Sequence, residues 1–420
     1  MNTFRYALRV AANNVRARTA QSALTALIVG LAVALSVAIV VLVDAAQRGI
    51  VRAADAFGVL VIGPKGSAQQ LVLNTILLQD SPVGLLDSTV YDDLLARQPN
   101  LRIAPIAMGD NVNGYPIIGT NHIFFELRRS LNEPPAFQPV QGRLFEANFE
   151  AVLGAEAAQA LGLQIGDQFL TSHGISGGLA SDVHENHPYT VVGILGRANA
   201  PHDRGVFVTL ESVWEAHELG VQSAFIARPR ADNQTAVRGR LTAALVLPFG
   251  VALNDVYRIA QQVNASPEAQ AAFPGAQLGA LFSQLNQGQA ILNVVAGLAL
   301  VMASLTILLS LYSTTLARQQ AIAIMRSLGA RRATVFTITL LEAFWLTALG
   351  VLIGFALGHG VAAAVSAALT AQSAIPLETR IVWAQELPLL IAPLLLGIAA
   401  GILPSVLAYR LNVVEKLYNA

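Results

Sequence analysis

The sequence contains no cysteine. Disulfides, zinc–thiolate centres and cysteine nucleophiles are therefore excluded, and no redox compartment can be read from thiols. Charge is scarce too. Asp, Glu, Lys and Arg make up 12% of 420 residues, about half of the usual share of roughly 25%. Lysine occurs only at Lys65 and Lys416. A nucleic-acid partner requires a basic face. The only polar region, residues 44–283, instead carries 15 basic against 22 acidic side chains, so nucleic acid is excluded as well.

Long apolar runs stand where charge is missing. Hydrophobic residues reach 54%, and mean hydropathy is +0.54. Residues 23–43 hold no charge, and at about 1.5 Å per residue such a run crosses about 30 Å of hydrocarbon. Arg48 and Arg52 follow on what reads as the same helix, so a retained anchor is expected rather than a cleaved signal peptide. Further apolar runs start near residues 291, 334 and 387. The third stays apolar to residue 369 and should project beyond the bilayer. The fourth contains Pro388, Pro393 and Pro404, which are expected to kink it.

Orientation follows from arginine in short loops. Arg5, Arg9, Arg16 and Arg18 precede the first run, and Arg318, Arg326, Arg331 and Arg332 separate the second from the third, with no acid in either stretch. The loop before the fourth run has Glu378, Arg380 and Glu386, net negative. Both termini are therefore expected in the cytoplasm. The block between the first two runs then lies outside. It reads as mixed α/β, with strand-like stretches at 57–62, 189–195 and 205–210 and helix-like stretches at 88–96, 156–161 and 211–218. Residues 171–187, rich in Gly, Ser and His, read as a mobile loop.

Catalysis finds no foothold. The one G-x-S-x-G match, Gly174-Ile175-Ser176-Gly177-Gly178, falls in the Gly-, Ser- and His-rich stretch read as a loop, not at the strand-to-helix turn that a nucleophile elbow requires. The nearest approach to a phosphate loop, Gly63-Pro64-Lys65-Gly66-Ser67, lacks the required G-x-x-x-x-G-K-[ST] spacing and lies on the outer side. A non-catalytic chain is expected.

Several local patterns then converge. Residues 316–333 read LARQQAIAIMRSLGARRA and lead into a helix carrying Glu342. The outer block holds Gly142-Arg143, Val152-Leu153-Gly154, AAQALGLQIG at 157–166 and Val191-Val192-Gly193-Ile194. The N-terminal segment sets Phe4, Leu8, Ala11 and Val15 on one helical face beside Arg5, Arg9 and Arg16. In this order the chain resembles the MacB/FtsX permeases, the membrane subunits of type VII ABC transporters.

That resemblance implies an α-helical membrane domain of four transmembrane helices, plus a large α/β periplasmic domain inserted between the first and second. The expected segments are an amphipathic helix at 1–21, spans at 22–46, 286–313, 334–366 and 387–410, a MacB-like periplasmic domain at 47–285, a cytoplasmic coupling loop at 314–333, a short periplasmic loop at 367–386 and a tail at 411–420. It also implies a homodimer in a bacterial inner membrane, two copies of a separate ABC ATPase that carries ATP and Mg2+, and a periplasmic adaptor or lipoprotein. Motion driven by ATP would be relayed to the periplasm for export or extraction. An FtsX-like signalling permease that activates a periplasmic partner such as a cell-wall hydrolase is the alternative. A secondary transporter or channel fits less well, because no inverted repeat is visible. The family's acidic residue in the coupling loop is replaced here by Ala321.

Three sets of residues stand out. In the coupling loop, Ile322, Met325 and Leu328 would form the apolar face of a helix docking in the ATPase, with Arg326 and Arg331 on its rims and Gly329 ending it; otherwise the stretch is an ordinary basic loop. Gly350, Gly354 and Gly358, like Gly397 and Gly401, are spaced by four, which permits close helix packing, within the chain or between copies. Five of seven histidines lie between 173 and 217. His173, His184, His187 and His202 are the candidate ligands for zinc, against a plain solvated loop.

Overall fold

The computed structural model describes residues 2–54, 57, 60–79, 81–128, 130, 132–174, 187–217, 239–247, 252–373 and 375–410. Two compact units emerge: Met1–Ala46 with Gln284–Ala368 and Glu378–Ala420, and Gln47–Ser283 with Leu369–Leu377. The helices are α1 (Asn2–Ala17), α2 (Thr19–Ala54), α3 (Ala68–Leu77), α4 (Ser88–Arg97), α5 (Ala155–Leu161), α6 (Leu210–Ala216) and α7 (Leu253–Ala265). They continue with α8 (Pro274–Ala317), α9 (Gln319–Ser327), α10 (Arg332–Ser373) and α11 (Trp383–Arg410).

Four of these, α2, α8, α10 and α11, are long and apolar enough to cross a membrane. They outrun the apolar stretches that announce them; α8 has 44 residues and α10 has 42. Pro388, Pro393 and Pro404 all lie inside α11, which stays one helix. Small residues set the spacing in this first unit. A Cβ on Gly354 would stand 2.5 Å from the Gly30 carbonyl oxygen of α2, and Gly350 and Gly358 meet α2 in the same way at Val29 and Val37. Gly397 and Gly401 of α11 face Thr347 and Ala343 of α10. All five glycines thus lie against helices of the same chain. On α1 the buried positions are Ala7 and Ala11, packed on Ile338, while Phe4 is exposed. The packed face is therefore turned from the expected Phe4–Leu8–Ala11–Val15 stripe, because alanine allows the closer approach.

The second unit is built on β1 (Leu60–Pro64), β2 (Leu86–Asp87), β3 (Ile103–Val112), β4 (Tyr115–Thr120), β5 (Pro139–Gly142), β6 (Glu150–Leu153) and β7 (Gln168–Phe169). β8 (Ser172–His173), β9 (Tyr189–Leu195), β10 (Val206–Thr209), β11 (Arg240–Leu241), β12 (Ala243–Val246) and β13 (Ala269–Ala272) complete it. Among the described residues, nine strands form one sheet in the order β13-β1-β12-β3-β4-β10-β6-β9-β5, with β7 joined to β9 and β8 to β3. Among the described residues, only β4–β10 and β6–β9 pair in parallel. Both faces of this sheet are covered, so its strands read as solid apolar runs. Leu60, Ile62, Val206 and Val208 enter one core, while the intervening Val61 and Phe207 enter the other.

Caps close the helices locally. Ser67, Asp87 and Thr209 accept backbone N–H groups at the starts of α3, α4 and α6. The segment Leu369–Leu377, expected to be part of a short loop, instead packs in the second core, where Ile375 is buried. Ile375, Pro376 and Leu377 lie against Gly49.

Candidate functional site

The link between α8 and α10 is a compact turn. Arg318 separates α8 from α9, and Gly329 closes α9 at φ +101°. The amide of Gly329 donates to Arg326 and that of Ala330 to Met325, the reversed closure that glycine supplies at a helix end. Ile322 (6% exposed) and Ala323 point inward, where Ile322 packs with Val335, Ala408 and the half-buried Met325. The outward apolar groups are Ile324, 50% exposed, and Leu328, 83% exposed. The expected docking face of Ile322, Met325 and Leu328 is thus corrected. A nine-residue helix needs its own anchor on the bundle, and Ile322 and Met325 supply it. Arg331 is exposed and Arg326 half-buried.

Beside this turn lies a polar cluster that the sequence reading did not assemble. Glu342 of α10, 6% exposed, accepts a hydrogen bond from the Asn14 amide of α1. The Arg318 guanidinium stands 3.6 Å from the same carboxylate, and Arg18 donates to the Thr314 hydroxyl at 2.9 Å. A charge at this depth is costly unless paired, so Glu342 ties α1, the α8–α9 junction and α10 to one point. A cleft of about 180 Å³ opens there, lined by Asn14, Arg318, Ile322, Met325, Val335 and Glu342 among others. The available signal was one acid in an apolar run that follows an acid-free basic loop.

In the second unit the histidines part company. His173 Nδ1 lies 3.4 Å, and His217 Nε2 3.1 Å, from the buried Asp110 Oδ1. That short contact with the Asp110 carboxylate raises the pKa of His217. His187 stacks on Phe149 at 5.0 Å between ring centres. His202, expected as a ligand, is buried among Phe57, Phe124 and Phe137, where burial pushes its pKa down to about 3. It is a core histidine, not a partner of His173. His184 lies outside the described residues. Asp110 escaped sequence reasoning because it is 63 residues from His173 along the chain.

Two family models match in chain order: the MacB-like periplasmic core domain over residues 22–244 and the FtsX-like permease C-terminal region over residues 293–413. The chain is also 31% identical over 127 residues to the uncharacterized ABC transporter permease YknZ of Bacillus subtilis (strain 168), an alignment covering 30% of each chain. It thus spans under a third of that relative's length. The first match covers more than half of the chain, the second contains α9, α10, α11 and most of α8, and the chain belongs to the MacB/FtsX-type ABC transporter permeases.

Proposed function

We propose that this chain is the membrane subunit of an ABC complex in a bacterial inner membrane, and that it relays ATP-driven motion from a separate ATPase to a periplasmic domain formed by the second unit. The observation that carries this reading is the α9 turn. It is pinned from within by Ile322 and Met325, bolted beside Glu342 through Arg318, and presents Ile324, Leu328 and Arg331 outward. Such a knob suits a groove with an apolar floor and acidic rims. The unit boundaries fall inside unbroken α2, α8 and α10, which suits helices that carry displacement.

A mechanical role also agrees with the polar chemistry of the spans. The hydroxyls of Ser36, Ser304, Thr347 and Ser405 each bond the carbonyl four residues back. These four hydroxyls are satisfied within their own helices. Substrate handling or signalling then belongs to the periplasmic side, and two copies of this chain with two ATPases form the working assembly.

Co-expression with the cognate ATPase tests the reading. Leu328→Asp leaves α9 folded, since this side chain touches little of its own chain, but places a charge where an apolar floor is required. Co-purified ATPase should fall at least about tenfold, a loss of about 1.4 kcal/mol, while membrane insertion is unchanged. Full assembly with both Leu328→Asp and Arg331→Glu would overturn it.

A further inference from the structure

The second unit gathers three metal-binding groups from distant parts of the chain. Asp110 comes from β3, His173 from β8 beside it, and His217 from the residue that ends α6. One ligand atom from each lies within 4.8 Å of the others. Asp110 is 1% exposed, whereas the His217 side chain is 17% and that of His173 46% exposed, so the group opens to solvent on the His173 side.

Local structure aims each group. Pairing of β3 with β4 slips between Met108 and Asn111. As a result Ala107 and Val112, an odd number of residues apart, enter the same core. A bulge of this kind re-aims the side chain it carries, and Asp110 sits in it. His173 is opposite Asp110 in the β3–β8 register. The Asn111 amide holds the turn after it by donating to the Gly174 carbonyl at 2.7 Å.

His217 is the most informative member. Its Nδ1 lies 2.7 Å from the Val213 carbonyl oxygen, which can only accept, so Nδ1 carries the proton. Its Nε2 faces a carboxylate oxygen 3.1 Å away, a pair that either a shared proton or a bound cation can bridge. Tetrahedral zinc with bonds of about 2.0–2.2 Å sets neighbouring ligand atoms roughly 3.3–3.5 Å apart, and the separations here are 3.1 and 3.4 Å. A ring nitrogen bonded to a backbone carbonyl is also how metal-binding histidines are oriented.

We propose that Asp110, His173 and His217 supply ligands to a zinc site in this domain. It does not depend on the coupling role. The absence of cysteine makes it an oxygen–nitrogen site.

Titration calorimetry of the full chain in detergent, stripped with chelator, tests the site with Zn2+ at pH 7.5. One equivalent should bind with Kd below about 10 µM, between the micromolar and millimolar energies. His173→Ala should weaken binding at least tenfold, whereas His187→Ala should not. Asp110→Asn should do the same as His173→Ala, and if that buried change prevents folding, Co2+ bound to the wild-type chain gives a second reading. An intense visible band of a four- or five-coordinate ion supports the site. The weak spectrum of hydrated Co2+, a Kd above about 100 µM, or Zn2+ binding indifferent to His173→Ala would overturn it and leave a metal-free His–Asp cluster.

Discussion

A single imidazole shows how burial decides chemistry. His202 sits 4.4 Å from the Phe57 ring centre and is 1% exposed, and burial holds its pKa near about 3 against the opposing pull of its hydrogen bond to the Thr75 backbone. The folded chain therefore keeps it neutral where the unfolded chain, with a pKa of about 6.5, takes up a proton. Stability must fall as pH drops from about 6.5 toward about 3, by up to about 1.4 kcal/mol per pH unit from this group. His202→Phe removes that dependence at the cost of one hydrogen bond, about 1 kcal/mol. Its thermal midpoint in detergent should be slightly lower than wild type at pH 7.5 and should decline less between pH 6.5 and 5. Equal declines would mean that His202 reaches solvent.

Among the elements, the α2–α10 contact is confined along its length. The Cβ positions of Gly350, Gly354 and Gly358 all fall on α2 backbone or on Val29, Val33 and Val37. Gly354→Leu should lower stability by about 1–3 kcal/mol or more, since the obstruction includes backbone that cannot yield. Gly360→Leu, in the same helix with nothing within 4 Å of its Cβ, should leave the melting curve unchanged. Similar melting of the two variants would place the helix contact elsewhere.

The glycine spacing was legible because period four is a local property, and so were α4, α5, α6 and β9, whose apolar rhythm and boundaries are written in adjacent residues. Two features were not. Ile322 reads as part of an outward face until Val335 and Ala408 claim it. The parity change in β3 that aims Asp110 arises from pairing with β4, not from any residue within β3. Both depend on a partner strand or helix, and a one-dimensional pattern carries no such register.

For the molecule as a whole, the side of the membrane on which each unit works decides the proposed function. Short basic stretches precede α2 and α10, whereas Asp44 and Arg380 pair at 3.5 Å near the opposite ends of α2 and α11. By the positive-inside rule that asymmetry leads us to propose α9 on the cytoplasmic side and the sheet on the other. With no native cysteine, each introduced thiol reports alone. Gln164→Cys in the loop after α5 and Gln320→Cys in α9 both replace exposed side chains, so neither should disturb folding. In intact cells with a permeabilised outer membrane, an impermeant thiol reagent should label the first and spare the second until the inner membrane is broken. The reverse pattern would put α9 out of reach of any cytoplasmic ATPase, and the coupling role would fall with it.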